Sequence, residues 1–222
     1  MPAGGHPPGE AGLTPASADA SAAVIRGREI VVRYQRGAAA AVDGVDIDLA
    51  PGQGLVVTGG RGSGKSSLLR AVMGLAGPGG DTTVFGARPG SPDALRRIGW
   101  APQSWPFTYG VRTGEAIRMV AALKGYGPEE AARAMDEAGF TAPAKFAPLL
   151  EIEEARQASL ACALIGTPDL LVLDDPWEFT QTDTAIRRAL DRGAAVLVAS
   201  SDPGGLSGML GVSITLKDGR RA

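Results

Sequence analysis

"LVVTGGRGSGKSSLLRAVMGL", Leu55 to Leu75, joins a short apolar run to a glycine-rich turn and then to an amphipathic pattern. Leu55 to Thr58 reads as a strand, and Leu68, Leu69, Val72, Met73 and Leu75 gather on one face of the helix that follows. Between them Gly59, then four residues, then Gly64-Lys65-Ser66 match the phosphate-binding P-loop pattern. Only glycine lets the backbone wrap closely enough for successive N–H groups, Gly62 to Ser67, to converge on phosphate oxygens. Lys65 is placed for the β- and γ-phosphates and the Ser66 hydroxyl for magnesium, while the helix start adds its positive dipole end. In a chain with 32 glycines a chance match must be weighed. The flanking strand and helix select nucleotide binding, with a cradle of Gly59, Gly60, Gly62, Ser63, Gly64, Lys65, Ser66 and Ser67.

A second stretch, "LLVLDDP" from Leu170 to Pro176, runs four apolar residues into Asp174 and Asp175. It fits a central strand of a parallel sheet covered on both faces, where ligands bind at the carboxyl ends of strands. Alone, the acid pair would read as a cap on the next helix. Beside a phosphate site, Asp174 becomes the carboxylate that holds magnesium, directly or through water.

The 222 residues suit one domain with a short tail, long enough for a full core. A net charge of −2 argues against a basic nucleic-acid platform, and no apolar stretch reaches the length of a membrane span. The single cysteine, Cys162, cannot form an internal disulfide; it suits a reducing cytoplasm and, among Ala161, Ala163 and Leu164, reads as a buried structural thiol. Residues 1–22 are Pro, Gly, Ala and Ser with almost no large apolar side chain, so a disordered tail is expected there, without the pattern of a secretory signal. It holds the only histidine, His6.

From residue 23 to 222 the pattern is that of one folded domain. "VIRGREIVVRYQ" and "AVDGVDIDLAPGQG" alternate as antiparallel strands do, and "IGWAPQ" reads as a short strand ending on Gln103. A helical part spans about 104–168. In it Thr113 is expected to cap "GEAIRMVAALKG", Pro128 to open "PEEAARAMDEAG" with Gly139 closing it, and "EIEEARQASLACALIG" to lead up to the aspartate strand. "AAVLVASSD" reads as a buried strand, and "VSITLKDGRR" as a terminal hairpin turning at Asp218-Gly219.

In this order of parts the chain resembles the ATP-binding cassette of ABC transporters from about Val24 onward. The resemblance implies an α/β P-loop NTPase fold with a parallel core sheet, an antiparallel β subdomain and a helical subdomain. It implies that Tyr34, closing a strand, stacks on adenine, and that Gln103 in "WAPQ" contacts magnesium and the attacking water. Taken alone, Tyr34 reads more readily as a core aromatic. "PFTYGVRTGEAIRMVAALKG" is similar to the segment that meets a transmembrane permease. Trp105, Phe107 and Tyr109, within Ser104 to Val111, are then an interface with a helical partner or, alternatively, aromatics packed inward.

The departures from the family pattern are specific. Leu150 to Glu154, "LEIEE", stands where the family's LSGGQ signature binds the γ-phosphate held by the opposite subunit. Glu151, Glu153 and Glu154 would repel phosphate there, by about 4 kcal/mol per charge pair near 4 Å at an effective dielectric of about 20. They also favour a helix start, so the structural reading is a helix N-terminus whose ligand role is lost. "GGLSG" at Gly204 to Gly208 lies after both aspartates and is not the signature. Ser201 replaces the family's histidine after the strand "VLVAS", and "WEFTQTD" departs from the loop that cross-links paired cassettes, leaving Trp177 exposed or against a partner. Asp175 stands where the family has the glutamate that polarises water. Aspartate is about 1 Å shorter, and a misplacement of that size costs roughly a hundredfold in rate.

These observations set the expectation: a cytoplasmic subunit at the inner face of the membrane, binding ATP and Mg2+ through Lys65, Ser66, Gln103 and Asp174. Its catalytic set of Asp175, Gln103 and Lys65 is impaired in hydrolysis, and its partners are a permease and a second cassette, identical or not. A regulatory or scaffolding ATP-binding module that never meets a permease is the alternative. A small-molecule kinase leaves the Tyr34 and Gln103 pattern unexplained.

Overall fold

The computed structural model describes residues 23–105, 110–176, 180–202 and 204–222. The tail with His6, the aromatics Phe107 and Tyr109, and Trp177 lie outside the described residues.

The chain opens with two antiparallel strands, β1 (Ile25–Val32) and β2 (Val42–Leu49), whose alternating burial puts Ile25, Ile30, Val42, Val45 and Leu49 inside. It continues through β3 (Gly54–Thr58), α1 (Lys65–Val72) and β4 (Gly79–Val84), the last returning to pair antiparallel with β1. A three-stranded antiparallel sheet, β2-β1-β4, results. A short helix, α2 (Pro92–Arg97), then leads into β5 (Ile98–Ala101). Ser91 caps it, accepting a hydrogen bond from the Ala94 N–H at 3.4 Å, and Pro92 occupies the first turn where no N–H is needed.

The helical part comprises α3 (Thr113–Leu123), α4 (Pro128–Glu137) and α5 (Ile152–Leu164). Gly139 closes α4 in the left-handed region at φ 70°, a C-terminal position suited to glycine. The core resumes with β6 (Leu170–Asp174), α6 (Thr180–Asp191), β7 (Ala195–Ser200), α7 (Leu206–Leu210), β8 (Gly211–Lys217) and β9 (Arg220–Arg221). The second sheet runs β5-β6-β7-β3-β8-β9, parallel except for the terminal β8–β9 hairpin. Asp218 and Gly219 turn that hairpin with φ of 50° and 80°, as a two-residue turn with both central residues left-handed requires.

Side-chain alternation along the parallel strands supplies two cores. Leu55, Val57, Leu170, Val172 and Leu197 face α1 and the antiparallel sheet. Val56, Leu171, Leu173, Val196 and Val198 face the helices on the other side. Each fully buried Leu or Val contributes about 1.5–3 kcal/mol, which is why these strands read as unbroken apolar runs and not as alternations. The fold is α/β, a parallel core sheet with an antiparallel sheet on one side and helices on the other.

Three local expectations are corrected, and one element is added. Thr113 does not cap α3: Arg112 precedes the helix as its cap residue, and buried Thr113 directs both its N–H and its hydroxyl at the Lys145 carbonyl, at 2.9 and 2.8 Å. Leu75 is 63% exposed, because α1 ends at Val72 and the chain turns through Gly74 at φ 72° before Leu75 can follow the helical face. β1 stops at Val32 and β5 at Ala101, so Tyr34 and Gln103 each sit two residues beyond a strand end and not on it. The helix α2 was not anticipated; at six residues it is too short to show a period.

Candidate functional site

All the strands that matter end on one edge. Thr58 pairs in register with Ser200, and Asp174 with Ala199, so the P-loop after β3, the acid pair at the end of β6, Gln103 after β5 and Ser201 after β7 share the carboxyl edge of the parallel sheet. The helices covering both faces of the sheet leave that edge open for ligands.

The P-loop is built by three left-handed glycines. Gly59, Gly62 and Gly64 have φ of 140°, 82° and 106°, and a Cβ on Gly64 would sit 2.3 Å from the Ala41 carbonyl oxygen. The loop encloses a cleft of about 140 Å³ lined by Gly62, Ser63, Gly64, Lys65, Ser66 and Ser67 together with Ala41. Lys65, buried, folds its ammonium onto the carbonyls of Gly59 and Gly60 at 2.6 and 2.9 Å. The Ser63 hydroxyl is buried with no hydrogen-bond partner among the described residues. An orphaned hydroxyl of this kind suits a phosphate oxygen. The first turn of α1 has neither a side-chain cap nor an acidic residue, so its N–H groups stay directed at the cleft.

At the mouth of the cleft Ser66 donates to Asp174 Oδ1 at 2.8 Å. Burial is the largest influence on Asp174 and raises its pKa; the Ser66 bond, Arg70 and Lys65 oppose that rise, and the neighbouring Asp175 adds to it. A hydroxyl and a carboxylate held together are the hard oxygen donors magnesium takes from protein when phosphates supply the rest. The donor set fits such an ion. Among the described residues no cluster of three His, Cys, Asp or Glu side chains forms a separate all-protein metal cage. Tyr34 is 57% exposed and donates to Ser67 Oγ at 3.1 Å, so it stands beside the loop as an open ring and not as a core aromatic.

The family model for ABC transporters matches residues 42–178. This chain belongs to the ABC transporter family. The cassette is 33% identical over 198 residues to the aliphatic sulfonates import ATP-binding protein of Nocardia farcinica, covering 81% of this chain and 72% of that one. It is 32% identical over 191 residues to the zinc import ATP-binding protein ZnuC of Pseudomonas putida, covering 82% and 70%. A dimeric post-hydrolysis structure of an ATP-binding cassette bound to ADP and phosphate matches with a TM-score of 0.78 at 20% identity, over 89% of this chain and 96% of that one. The structure of an ATP-binding subunit of an ABC transporter matches at the same TM-score and 16% identity, over 89% and 88%. At such identities the structural likeness shows the shared fold.

The cassette's second acidic residue stands in a different environment from Asp174. Asp175 lies five residues before Thr180, the first described residue of α6. Its carboxylate accepts from Gln103 Nε2 at 3.0 Å, which places the Gln103 amide on Asp175 and not on the Ser66–Asp174 corner. A small cavity of about 40 Å³ lies against both aspartates and Gln103. Arg156, which no sequence pattern singled out, borders the same cavity and donates to the Asp175 carbonyl at 3.2 Å. Only the fold could find it, because α5 and the end of β6 are brought together by packing.

At "LEIEE" the helix reading holds: α5 starts at Ile152 after Glu151. Glu154 turns back to accept from the Glu151 N–H at 2.8 Å and is paired with Lys145 at 2.7 Å. Ser201 is exposed, one residue past β7. Trp105 packs partly buried against the helical core, which is the inward alternative for that aromatic. Among the described residues no helix is long and apolar enough to cross a membrane.

Proposed function

We propose that this chain is the nucleotide-binding subunit of an ABC-type transporter that holds Mg-ATP at its own P-loop and hydrolyses it poorly. The observation that carries the reading is the Ser66–Asp174 contact of 2.8 Å at the mouth of an uncapped, glycine-built helix start. Lys65 would exchange its two loop carbonyls for the β- and γ-phosphates, and Tyr34 would offer its face to adenine. Ser66 and Asp174 would hold magnesium, which would neutralise charge developing on the phosphates. Asp175 and Gln103 flank the place for an attacking water, with Asp175 short by about 1 Å for that role. A partner cassette would supply the signature that "LEIEE" lacks, and a membrane permease would anchor the pair at the inner face of the membrane. The sulfonate and zinc relatives both serve import and carry unlike cargo. Import is therefore the direction proposed, and the membrane partner sets the cargo.

Calorimetric titration of the full chain with ATP and magnesium tests the reading. Losing the Lys65 point charge removes charge-assisted hydrogen bonds of about 1.5–3 kcal/mol, so Lys65→Ala should weaken binding roughly tenfold to a hundredfold. Equal affinity in the variant and the parent sinks the assignment.

A further inference from the structure

Asp175 is held at its N–H, its carbonyl and one carboxylate oxygen. Its φ is 54°, in the left-handed region, and it precedes Pro176, a neighbour that normally pushes the preceding residue into extended backbone. A non-glycine residue persists in such a conformation only where its surroundings determine it, and such residues gather at functional sites. Here the Asp175 N–H donates to the Ala199 carbonyl at 2.8 Å, continuing the β6–β7 ladder. Its carboxylate accepts from Gln103 at 3.0 Å, and its carbonyl accepts from Arg156 Nη1 at 3.2 Å. The ladder bond would serve any residue at that register. The Arg156 bond is a different kind of contact, since a long cationic side chain on α5 reaches a backbone oxygen beside the acid pair. Burial lowers the pKa of the guanidinium, with the charge of Asp175 opposing the shift.

We propose that Arg156 is a positioning residue for Asp175. By holding the Asp175 carbonyl it keeps the residue in its left-handed turn and the carboxylate bonded to Gln103 beside the small cavity. It thereby sets the place, in the cavity beside that bonded pair, where a water is polarised. Arg156 acts through Asp175. Only the turnover consequence rests on the Mg-ATP reading; the geometric one does not.

The test uses the full chain and three variants, Arg156→Ala, Arg156→Gln and Arg156→Lys, each checked for folding by circular dichroism. The first measurement needs no nucleotide: exchange of the Gln103 side-chain amide protons with water by nitrogen-15 NMR, the resonance being assigned by its loss in Gln103→Ala. Exchange should be slow in the parent and in Arg156→Lys, and roughly tenfold faster in Arg156→Ala and Arg156→Gln, as expected when about 1.4 kcal/mol of orientation is lost. The second measurement is single-turnover phosphate release with Mg-ATP. A displaced carboxylate should lower the rate roughly tenfold to a hundredfold at unchanged ATP affinity, with recovery in Arg156→Lys. Unchanged Gln103 exchange in both Arg156→Ala and Arg156→Gln overturns the proposal, as does a fall in rate that tracks melting temperature and ATP affinity alike. Should the parent bind no ATP, and Lys65→Ala change nothing, the nucleotide reading fails while the exchange measurement still decides the role of Arg156.

Discussion

Two helices of this cassette begin where anions are handled in the ABC family, and they begin in opposite ways. α1 starts at Lys65 with no side-chain cap and no acid in its first turn, its N–H groups facing an open cleft under a glycine loop. α5 starts at Ile152 with Glu153 and Glu154 in its first turn, Glu154 folded back onto the Glu151 N–H and tied to Lys145. A helix start carries about half a positive charge in either case. What differs is who compensates it. In α5 the chain's own carboxylates do, which stabilises the helix and leaves nothing for a phosphate. In α1 the compensation is left to a ligand. A helix N-terminus is thus an anion site only if the sequence withholds its own anions.

The largest effect that could break this comparison is expected at Gly64. A Cβ there would meet the Ala41 carbonyl at 2.3 Å and carry a φ of 106°. Strain of about 1–3 kcal/mol per such residue, added to the collision, should cost Gly64→Ala roughly a hundredfold or more in ATP affinity by calorimetry. Glu151→Ser in the other helix should leave the affinity of the isolated chain unchanged. Comparable losses in both variants would end the distinction.

Next in size is turnover. A phosphate-release assay should show the parent far slower than an intact cassette, with Asp175→Glu alone recovering little, because groups acting on one transition state are not additive. Asp175→Glu with Ser201→His, mixed with a partner cassette that donates a signature, should recover roughly a hundredfold. Brisk hydrolysis by the parent alone, abolished by Lys65→Ala, would show a working ATPase.

A smaller effect concerns the self-capped helix. The Lys145 bond, and then the Glu151 N–H, lower the Glu154 pKa. A carboxylate with a depressed folded pKa contributes stability that is present above its ordinary value, about 4.3, and lost as pH falls through the folded value. The melting-temperature advantage of the parent over Glu154→Gln should therefore be full at pH 6 and shrink steadily below pH 4. A constant difference down to pH 3 would remove Glu154 from the account.

The smallest effect is at Cys162, which lines an apolar pocket with Trp100, Trp105 and Val120. Burial pushes its thiol up to about 12, with nearby Lys124 opposing. Because the folded value is raised, the stability from keeping the thiol neutral is present below the ordinary value, about 8.5, and lost as pH rises toward the folded one. The native chain should resist maleimide at pH 8 and react once unfolded in urea. Rapid native labelling would show the thiol to be accessible.

Much of the binding half was legible in one dimension. Gly59 to Ser66 carry their chemistry in adjacent residues, because a loop that wraps a phosphate is a local object, and the apolar runs of β3, β6 and β7 announce strands buried on both faces. The acids of "LEIEE" announced a helix start for the same reason, since capping acts within one turn. Local patterns failed where a contact from afar decided the outcome. Thr113 is a cap residue by type, yet the Lys145 carbonyl draws it inward; Tyr34 is a core aromatic by composition, yet Ser67 holds it at the rim of the loop.

The sequence by itself therefore determined that the chain is a cassette with a glycine-built phosphate-loop pattern, an acid pair closing a buried strand and acidic residues at a helix start, since each depends on neighbours within a few positions. Only the tertiary structure decided how Asp175 is held. Gln103 lies 72 positions before it and Arg156 19 positions before it. The three meet because β5 and β6 are adjacent in the sheet and α5 packs across their ends, and no spacing along a chain encodes the direction in which a side chain reaches after that packing is complete.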